Sequence, residues 1–524
     1  MDNIPLFIVV DLFCGLGGTT TGFTNAKDGI AKVIYCVNHD QDALDTHKAN
    51  HPDCEHSIED VRLANIAHIK EVVDKYRKMY PNALFILFGS FPCPHFSKAR
   101  GGAPKEDEMR TMAKSLYMKW NPKTKKHVRG KSYIQILQPD FIWFENVTEF
   151  ITWGPLDENG KPINKQMGAD FYEWQYNIKK LGYDGQWKQF DAADFGAYTS
   201  RNRLFGCFSR NGLPIVWPEA THTKNPKPGS GLLKHNAVKD KLDFSLVGNS
   251  IFEKTYVEAT LKRFLAGLIK FVAGQNAKAF ISKYYSGKPS SKVTSIEEPA
   301  GSVTTVDHHS LVQVQSFKPV TDDTKFVSVY YGNGYNTSID EPAGTITTKD
   351  RFTVVEAKRF FIDKQYGKNA QNTSIDSPAG TIVGNDKHRL VEVVSWVYNP
   401  SYGGNHASIE YPCPTIVARQ DKAPLYLIVC EFGEMAIPVY PEDSETMIRI
   451  KHFMVMYKIG DIRMRMFTVN ELLTIQGFSK EYKLIGSIKK QKLMIGNSVV
   501  PDVITSWIEA YANYFNYINN NKAS

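Results

Sequence analysis

Phe7-Ile8-Val9-Val10-Asp11-Leu12-Phe13-Cys14-Gly15-Leu16-Gly17-Gly18-Thr19 runs an apolar, β-branched stretch straight into a glycine-rich turn. That pattern predicts a buried strand, a tight turn and the start of a helix, the opening unit of an α/β sheet. Glycines there let a ligand approach the backbone and meet the positive end of the helix. The spacing is not G-x-G-x-x-G, and no P-loop lysine follows. A nucleoside carrying a small carboxylate therefore fits the turn better than a pyrophosphate.

Working outward, similar apolar runs recur at Val33 to Val37, Leu84 to Phe88 and Phe141 to Phe144, separated by helical stretches up to about Trp217. These are read as strands of a parallel, doubly wound sheet. Asn38, His39 and Asp40 close the second strand, where such folds contact a ribose, and Asp60 falls at the end of a third. Leu84 to Phe88 leads into Gly89-Ser90-Phe91-Pro92-Cys93-Pro94-His95-Phe96-Ser97. A cysteine between two prolines at a strand end reads as presented rather than packed, although cysteine is among the residue types most often simply buried.

The 524-residue chain has room for two or three domains, and its 42% hydrophobic content is ordinary for globular proteins. Seven scattered cysteines with no C-x-x-C pair give neither a disulfide framework nor a zinc finger, so a reducing, cytoplasmic setting is expected, in a bacterial or phage-infected cell. His47, His51, Cys54 and His56 match no standard metal spacing; a helix end and loop beside a ligand pocket is the plainer reading, and no metal is expected. No stretch is long and apolar enough for a signal peptide core or a membrane span. The net charge of +8 permits a polyanionic partner, and Lys119 to Lys131 concentrates basic residues around Trp120 in a turn-rich, mobile segment suited to phosphate contacts.

After Trp217-Pro218 the texture turns rich in Pro, Gly, Lys and Ser, which places a boundary there. Beyond it lies a repeat: Ser295 to Val303, Ser338 to Ile346 and Ser374 to Ile382 share a Ser-Ile-acidic-x-Pro-Ala-Gly core, and Ser408 to Ile416 is a degenerate fourth copy. A Tyr-Gly element precedes each, as in Tyr330-Tyr331-Gly332. Each unit reads as one β element with a surface loop. The expected organisation is residues 1–218, a β-rich insert over 219–450, and 451–524 returning to complete the first domain.

Phe13 to Gly18, Pro92-Cys93 and Glu145-Asn146-Val147 occur in the order of three motifs of the cytosine-5 DNA methyltransferase family, which the chain resembles. Phe195 to Arg203 resembles that family's Arg-x-Arg element. Arg465 to Glu471, Gln476-Gly477-Phe478 and Gly496 to Pro501 resemble its last two motifs. The resemblance implies a Rossmann-like class I methyltransferase sheet with an inserted β-rich target-recognition domain. It implies S-adenosylmethionine as cofactor, held by Asp11, Phe13, Gly15, Gly17, Gly18, Asn38, His39, Asp60, Val61, Pro92, Asn497 and Val499. Catalysis falls to Cys93 as nucleophile and Glu145 as acid, with Arg203 on the base and Arg201 supporting the site. The implied partner is double-stranded DNA, bound by a monomer, with a cognate restriction endonuclease a further possible companion and no membrane.

The chemistry agrees. A thiolate adding to carbon 6 of cytosine makes carbon 5 nucleophilic, and a buried carboxylic acid can protonate ring nitrogen 3 as charge develops. Tyr198-Thr199 stands where the family has Pro-Gln, and Asn38-His39 where it has an acidic residue and an aromatic. A tRNA cytosine-5 methyltransferase and a catalytically impaired DNA-binding regulator are the rival readings.

Overall fold

The computed structural model describes residues 4–91, 111–157, 163–243, short stretches between 245 and 273, the strands between 279 and 432, and 439–523 except 458. Pro92, Cys93 and the Pro-Ala-Gly and Tyr-Gly elements of the repeats lie outside the described residues.

Seven strands form the first sheet: β1 (Phe7–Leu12), β2 (Ala31–Asn38), β3 (Glu55–Ile58), β4 (Leu84–Ser90), β5 (Phe141–Asn146), β6 (Tyr183–Asp191) and β7 (Asn202–Arg210). Their order is β3-β2-β1-β4-β5-β7-β6, with β1 to β5 parallel and β7 antiparallel to both its neighbours. The central strands are apolar on both faces, as a sheet covered on both sides requires. Alternate residues of β1 enter separate cores: Ile8 and Val10 pack with Phe85, Phe144 and Trp174, while Phe7 and Val9 pack with Phe88, Trp143 and Trp507.

Four helices frame the glycine turn and the sheet edge beside it: α1 (Gly18–Asn25), α2 (Gln41–Asn50), α3 (Ile488–Asn497) and α4 (Pro501–Ala523). The C-terminal helix α4 extends past its apolar stretch Val503 to Tyr517 into the polar residues that follow it. Trp507 in α4 stacks between Trp143 of β5 (3.9 Å, 10°) and Trp217 (5.0 Å, 15°). This three-ring stack fastens the end of the chain to the centre of the first sheet. No helix among the described residues is long and apolar enough to cross a membrane.

The described residues after Trp217 are rich in strand, and their main sheet takes in Ile459–Met466, beyond the 219–450 expected for the insert. A second seven-stranded sheet runs from Asn249–Ser250 through Ile459–Met466, Tyr426–Phe432, Trp396–Asn399, His309–Gln315 and Ala279–Lys283 to Val293–Ser295. Each of the first three repeats is an antiparallel three-stranded unit rather than one β element: Ala279–Lys283, Lys325–Val329 and Phe361–Lys364 each lie between the next two strands of their unit. The second strand of each ends on the serine that opens the repeated core, Ser295, Ser338 or Ser374. In the fourth copy Trp396–Asn399 pairs with Tyr426–Phe432, but Cys413–Pro414 pairs with Thr199–Ser200, next to the Arg-x-Arg element.

Candidate active site

The glycine turn has the geometry its sequence requires. Phe13, Gly15 and Gly17 all have positive φ (63°, 54° and 110°), which glycine adopts without strain. Gly18 is where the chain's end meets its beginning: a Cβ there would lie 2.1 Å from the Val499 carbonyl oxygen, so only glycine allows this approach. Beneath the turn, Asp11 is fully buried and accepts from Thr20 Oγ1 at 3.2 Å, while its Oδ1 has no hydrogen-bond partner. Burial pushes its carboxyl up to about 8.

Around the turn, Asn38 is buried at the end of β2, and its Oδ1 accepts from the Asp40 backbone N–H at 2.9 Å. His39 beside it is exposed. Past β3, Asp60 holds Arg62 in a bidentate ion pair of 2.5 Å at its shortest. Burial would raise the Asp60 carboxyl, but the Arg62 hydrogen bonds outweigh it and leave Asp60 below the usual carboxylate range. Val61 is buried, and its carbonyl accepts from Tyr133 Oη at 2.6 Å.

Glu145 lies in β5 opposite Ser90 of β4, at the end of the strand that leads to Cys93. It is buried and 3.3 Å from Arg203 Nε. Burial raises its carboxyl above the ordinary range, with Arg203 and then Arg201 opposing. The next residue, Asn146, donates from Nδ2 to the Phe91 carbonyl at 3.3 Å, tying the acid-bearing strand to the residue that precedes Pro92-Cys93. Nothing in the sequence gave Asn146 a role of its own.

Arg201 is buried and donates through Nη1 to the Gly496 carbonyl at 3.1 Å, so it is not a surface ion-pairing residue. It joins the Arg-x-Arg element to α3. Asn497, the last residue of α3, is exposed, while Val499 is buried against Gly18. Gln476, also buried, donates to the Ser498 carbonyl at 3.0 Å and holds the same segment. Thr199 is fully buried with Oγ1 unpartnered.

Two stretches singled out in the sequence take a form that their spacing did not give. Residues with no metal-site spacing converge behind the glycine turn: His47 Nδ1 lies 2.8 Å from His56 Nε2, His47 Nε2 lies 3.0 Å from Thr20 Oγ1, and Cys36 Sγ lies 3.4 Å from His47 Nε2 and 3.6 Å from Cys54 Sγ. Burial, then the neighbouring His51 and His56, hold His47 well below its ordinary range. These contacts form one hydrogen-bonded cluster, which Thr20 links to Asp11. The basic stretch, expected as a mobile loop, is instead a hairpin of Lys119–Asn121 with Lys126–Val128. Its alternation turns Trp120 and His127 inward, ring centroids 4.9 Å apart, and Arg62 lies 4.5 Å over the Trp120 ring.

The model of the C-5 cytosine-specific DNA methylase family matches residues 7–513. The type II methyltransferase M.AgeI of Thalassovita gelatinovora is 26% identical over 220 residues, 42% of this chain and 43% of that protein. M.Sau3AI of Staphylococcus aureus is 28% identical over 202 residues, 38% of this chain and 42% of that protein. The chain thus spans about two fifths of the length of these curated relatives. A solved methyltransferase of Entamoeba histolytica, EhMeth, aligns over 97% of this chain and 98% of its own with 13% identity and a TM-score of 0.42. With the matched region covering nearly the whole sequence, the chain belongs to the C-5 cytosine-specific DNA methylase family.

Proposed function

We propose that this protein is a sequence-specific DNA (cytosine-5) methyltransferase of a restriction-modification or related DNA-marking system, acting on a cytosine swung out of the duplex. The observation that carries the reading is the join of acid to nucleophile segment: Glu145 is buried against Arg203, and Asn146 holds the carbonyl that precedes Pro92-Cys93. A base inside a duplex is out of reach of a strand-end thiol unless it leaves the stack.

The residues around the glycine turn fit S-adenosylmethionine. The positive-φ turn opens α1, Asn38 ends β2, Asp60 follows the adjacent β3, and the unpartnered Asp11 Oδ1 leaves a buried acceptor beneath the turn. When bound, the cofactor supplies an electrophilic methyl group. Cys93 adds as thiolate to ring carbon 6 while Glu145, whose proton affinity burial raises, gives a proton to ring nitrogen 3. Arg203 donates to the exocyclic oxygen and, beside Glu145, stabilises the carboxylate that remains. Carbon 5 takes the methyl group, with the cofactor's thioether as leaving group; the carbon-5 proton then goes to a base, the electron pair of that C–H bond expels the Cys93 thiolate, and ring nitrogen 3 returns its proton to Glu145.

Duplex DNA containing 5-fluorocytosine has no removable proton at that carbon. With S-adenosylmethionine, the wild-type chain should accumulate a covalent protein–DNA complex stable to denaturant, and Cys93→Ala should form none. Trapping on fluorinated RNA but not on DNA of varied sequence would overturn the DNA reading.

A further inference from the structure

We infer that the hairpin Lys119–Val128 and the residues after it are a fixed platform for the phosphates of the duplex outside the target base, an inference that rests on the DNA reading above. Lys119, Lys123, Lys125, Lys126, Arg129 and Lys131 are all exposed, and no acidic residue occurs between Lys119 and Lys131. These six cations stand against a net charge of +8 for the whole chain, so the remainder is close to neutral. The stretch therefore carries a local excess of positive charge, which raises the concentration of a polyanion beside it.

The hairpin is anchored rather than loose. Asn121 Oδ1 accepts from the Lys123 and Thr124 backbone N–H groups at 3.0 and 3.3 Å, closing the turn, and Lys125 takes the left-handed conformation that finishes it (φ 50°). On the inward face Trp120 is 7% exposed, packed between His127 and Arg62, and His127 Nε2 lies 2.9 Å from Ser115 Oγ. Side chains of one strand face alternate sides, so burying Trp120 turns Lys119 outward, and burying His127 does the same for Lys126.

Its position also fits. Arg62, which lies over Trp120, follows the carboxyl end of the edge strand β3, so the hairpin sits at the carboxyl edge of the sheet whose β5 carries Glu145. A rigid cationic hairpin at that edge contacts phosphates away from the target base without reading sequence, which positions the duplex and leaves specificity to other loops. This role differs from that of a closing loop, since the anchor holds the charges in place before DNA arrives.

The test uses the full chain with Lys123→Gln, Lys126→Gln and Arg129→Gln combined, and a mixed-sequence duplex of about three helical turns titrated by fluorescence anisotropy at several salt concentrations. Each phosphate that no longer meets a cation lowers the slope of log K against log salt by about 0.9, so removing three cations should flatten it by about 2 to 3, with affinity at least tenfold weaker near 0.1 M salt. The thermal unfolding midpoint should not move, because the three side chains are exposed. An unchanged slope and affinity would overturn the inference. So would retained duplex binding alongside abolished binding to a structured RNA of similar length. Failure of the underlying DNA reading shows separately, as absence of the 5-fluorocytosine complex with the wild-type chain.

Discussion

Asn146 Nδ2 and the Phe91 carbonyl oxygen, 55 residues apart in sequence, are 3.3 Å apart in space. This one hydrogen bond connects the strand bearing Glu145 to the last described residue before Pro92-Cys93. Both partners are buried, so the bond fixes the backbone that enters Pro92-Cys93. Asn146→Ala should lower kcat for methyl transfer to duplex DNA about 10- to 100-fold, the scale expected when a reacting group is displaced by about an ångström. KM for the cofactor should change little. An Asn146→Ala enzyme with unchanged kcat would show that the turn is positioned from elsewhere.

The reason Asn146 escaped the sequence reading is instructive beside Glu145. Glu145 stands out through the family's Glu-Asn-Val motif, and the four apolar residues before it then mark a buried setting for its carboxyl. An amide announces nothing until its partner is known, and Phe91 lies on another strand. The parallel sheet was legible for the same local reason, since the runs at Phe7, Val33, Leu84 and Phe141 are too apolar for anything but a sheet covered on both faces. The hairpin at Lys119 was not. Its only inward residues are Trp120 and His127, and the surrounding lysines hide that two-residue alternation. Likewise, the convergence of Cys36, His47, Cys54 and His56 depends on the pairing of β2 with β3 and the packing of α2, which no spacing rule contains.

Asp11 should make stability fall as pH rises. Its carboxyl is raised by burial to about 8, far above its value in an unfolded chain, so the folded state keeps a proton that the unfolded state releases. The stabilisation is complete below the unfolded value near 4 and is lost as pH climbs through 8. Asp11→Asn keeps the shape without the titration. Urea unfolding midpoints of the two proteins should therefore diverge between pH 5 and 9, the wild type losing ground to the variant as pH rises. Parallel curves would show that Asp11 is ionised in the fold.

Gly18→Ala should separate the two ends of the chain. The added Cβ would meet the Val499 carbonyl oxygen at 2.1 Å, and backbone on both sides has little room to yield. We expect at least a tenfold loss of S-adenosylmethionine affinity by calorimetry, with a lower unfolding temperature. Gly182→Ala is the control for added bulk, since nothing lies within 4 Å of a Cβ there. That position has φ +90°, so some loss of stability is expected from strain, but no loss of cofactor affinity. Equal cofactor binding by the Gly18→Ala protein would mean that the Val499 segment does not help form the pocket.

Arg201 and Arg203, two residues apart in the Arg-x-Arg element, should fail in different ways. Arg201 is buried and spans from the Asp191 carboxylate, through its backbone N–H at 2.9 Å, to the Gly496 carbonyl at 3.1 Å. Arg201→Ala leaves that carbonyl without its donor and should cost about 1–3 kcal/mol of stability, lowering the denaturant midpoint. Arg203 meets Glu145 at 3.3 Å, and its guanidinium opposes the rise that burial imposes on the carboxyl. Removing it should let the Glu145 carboxyl rise further, so the acid stays protonated to higher pH. The alkaline limb of the pH–rate profile should accordingly move upward in Arg203→Ala, even as the rate falls from loss of the donor to the base. Arg201→Ala removes a smaller opposing charge and should move the limb less, while Arg203→Ala should leave the denaturant midpoint closer to wild type. A larger shift of the limb for Arg201→Ala than for Arg203→Ala would reverse the assignment of the two arginines.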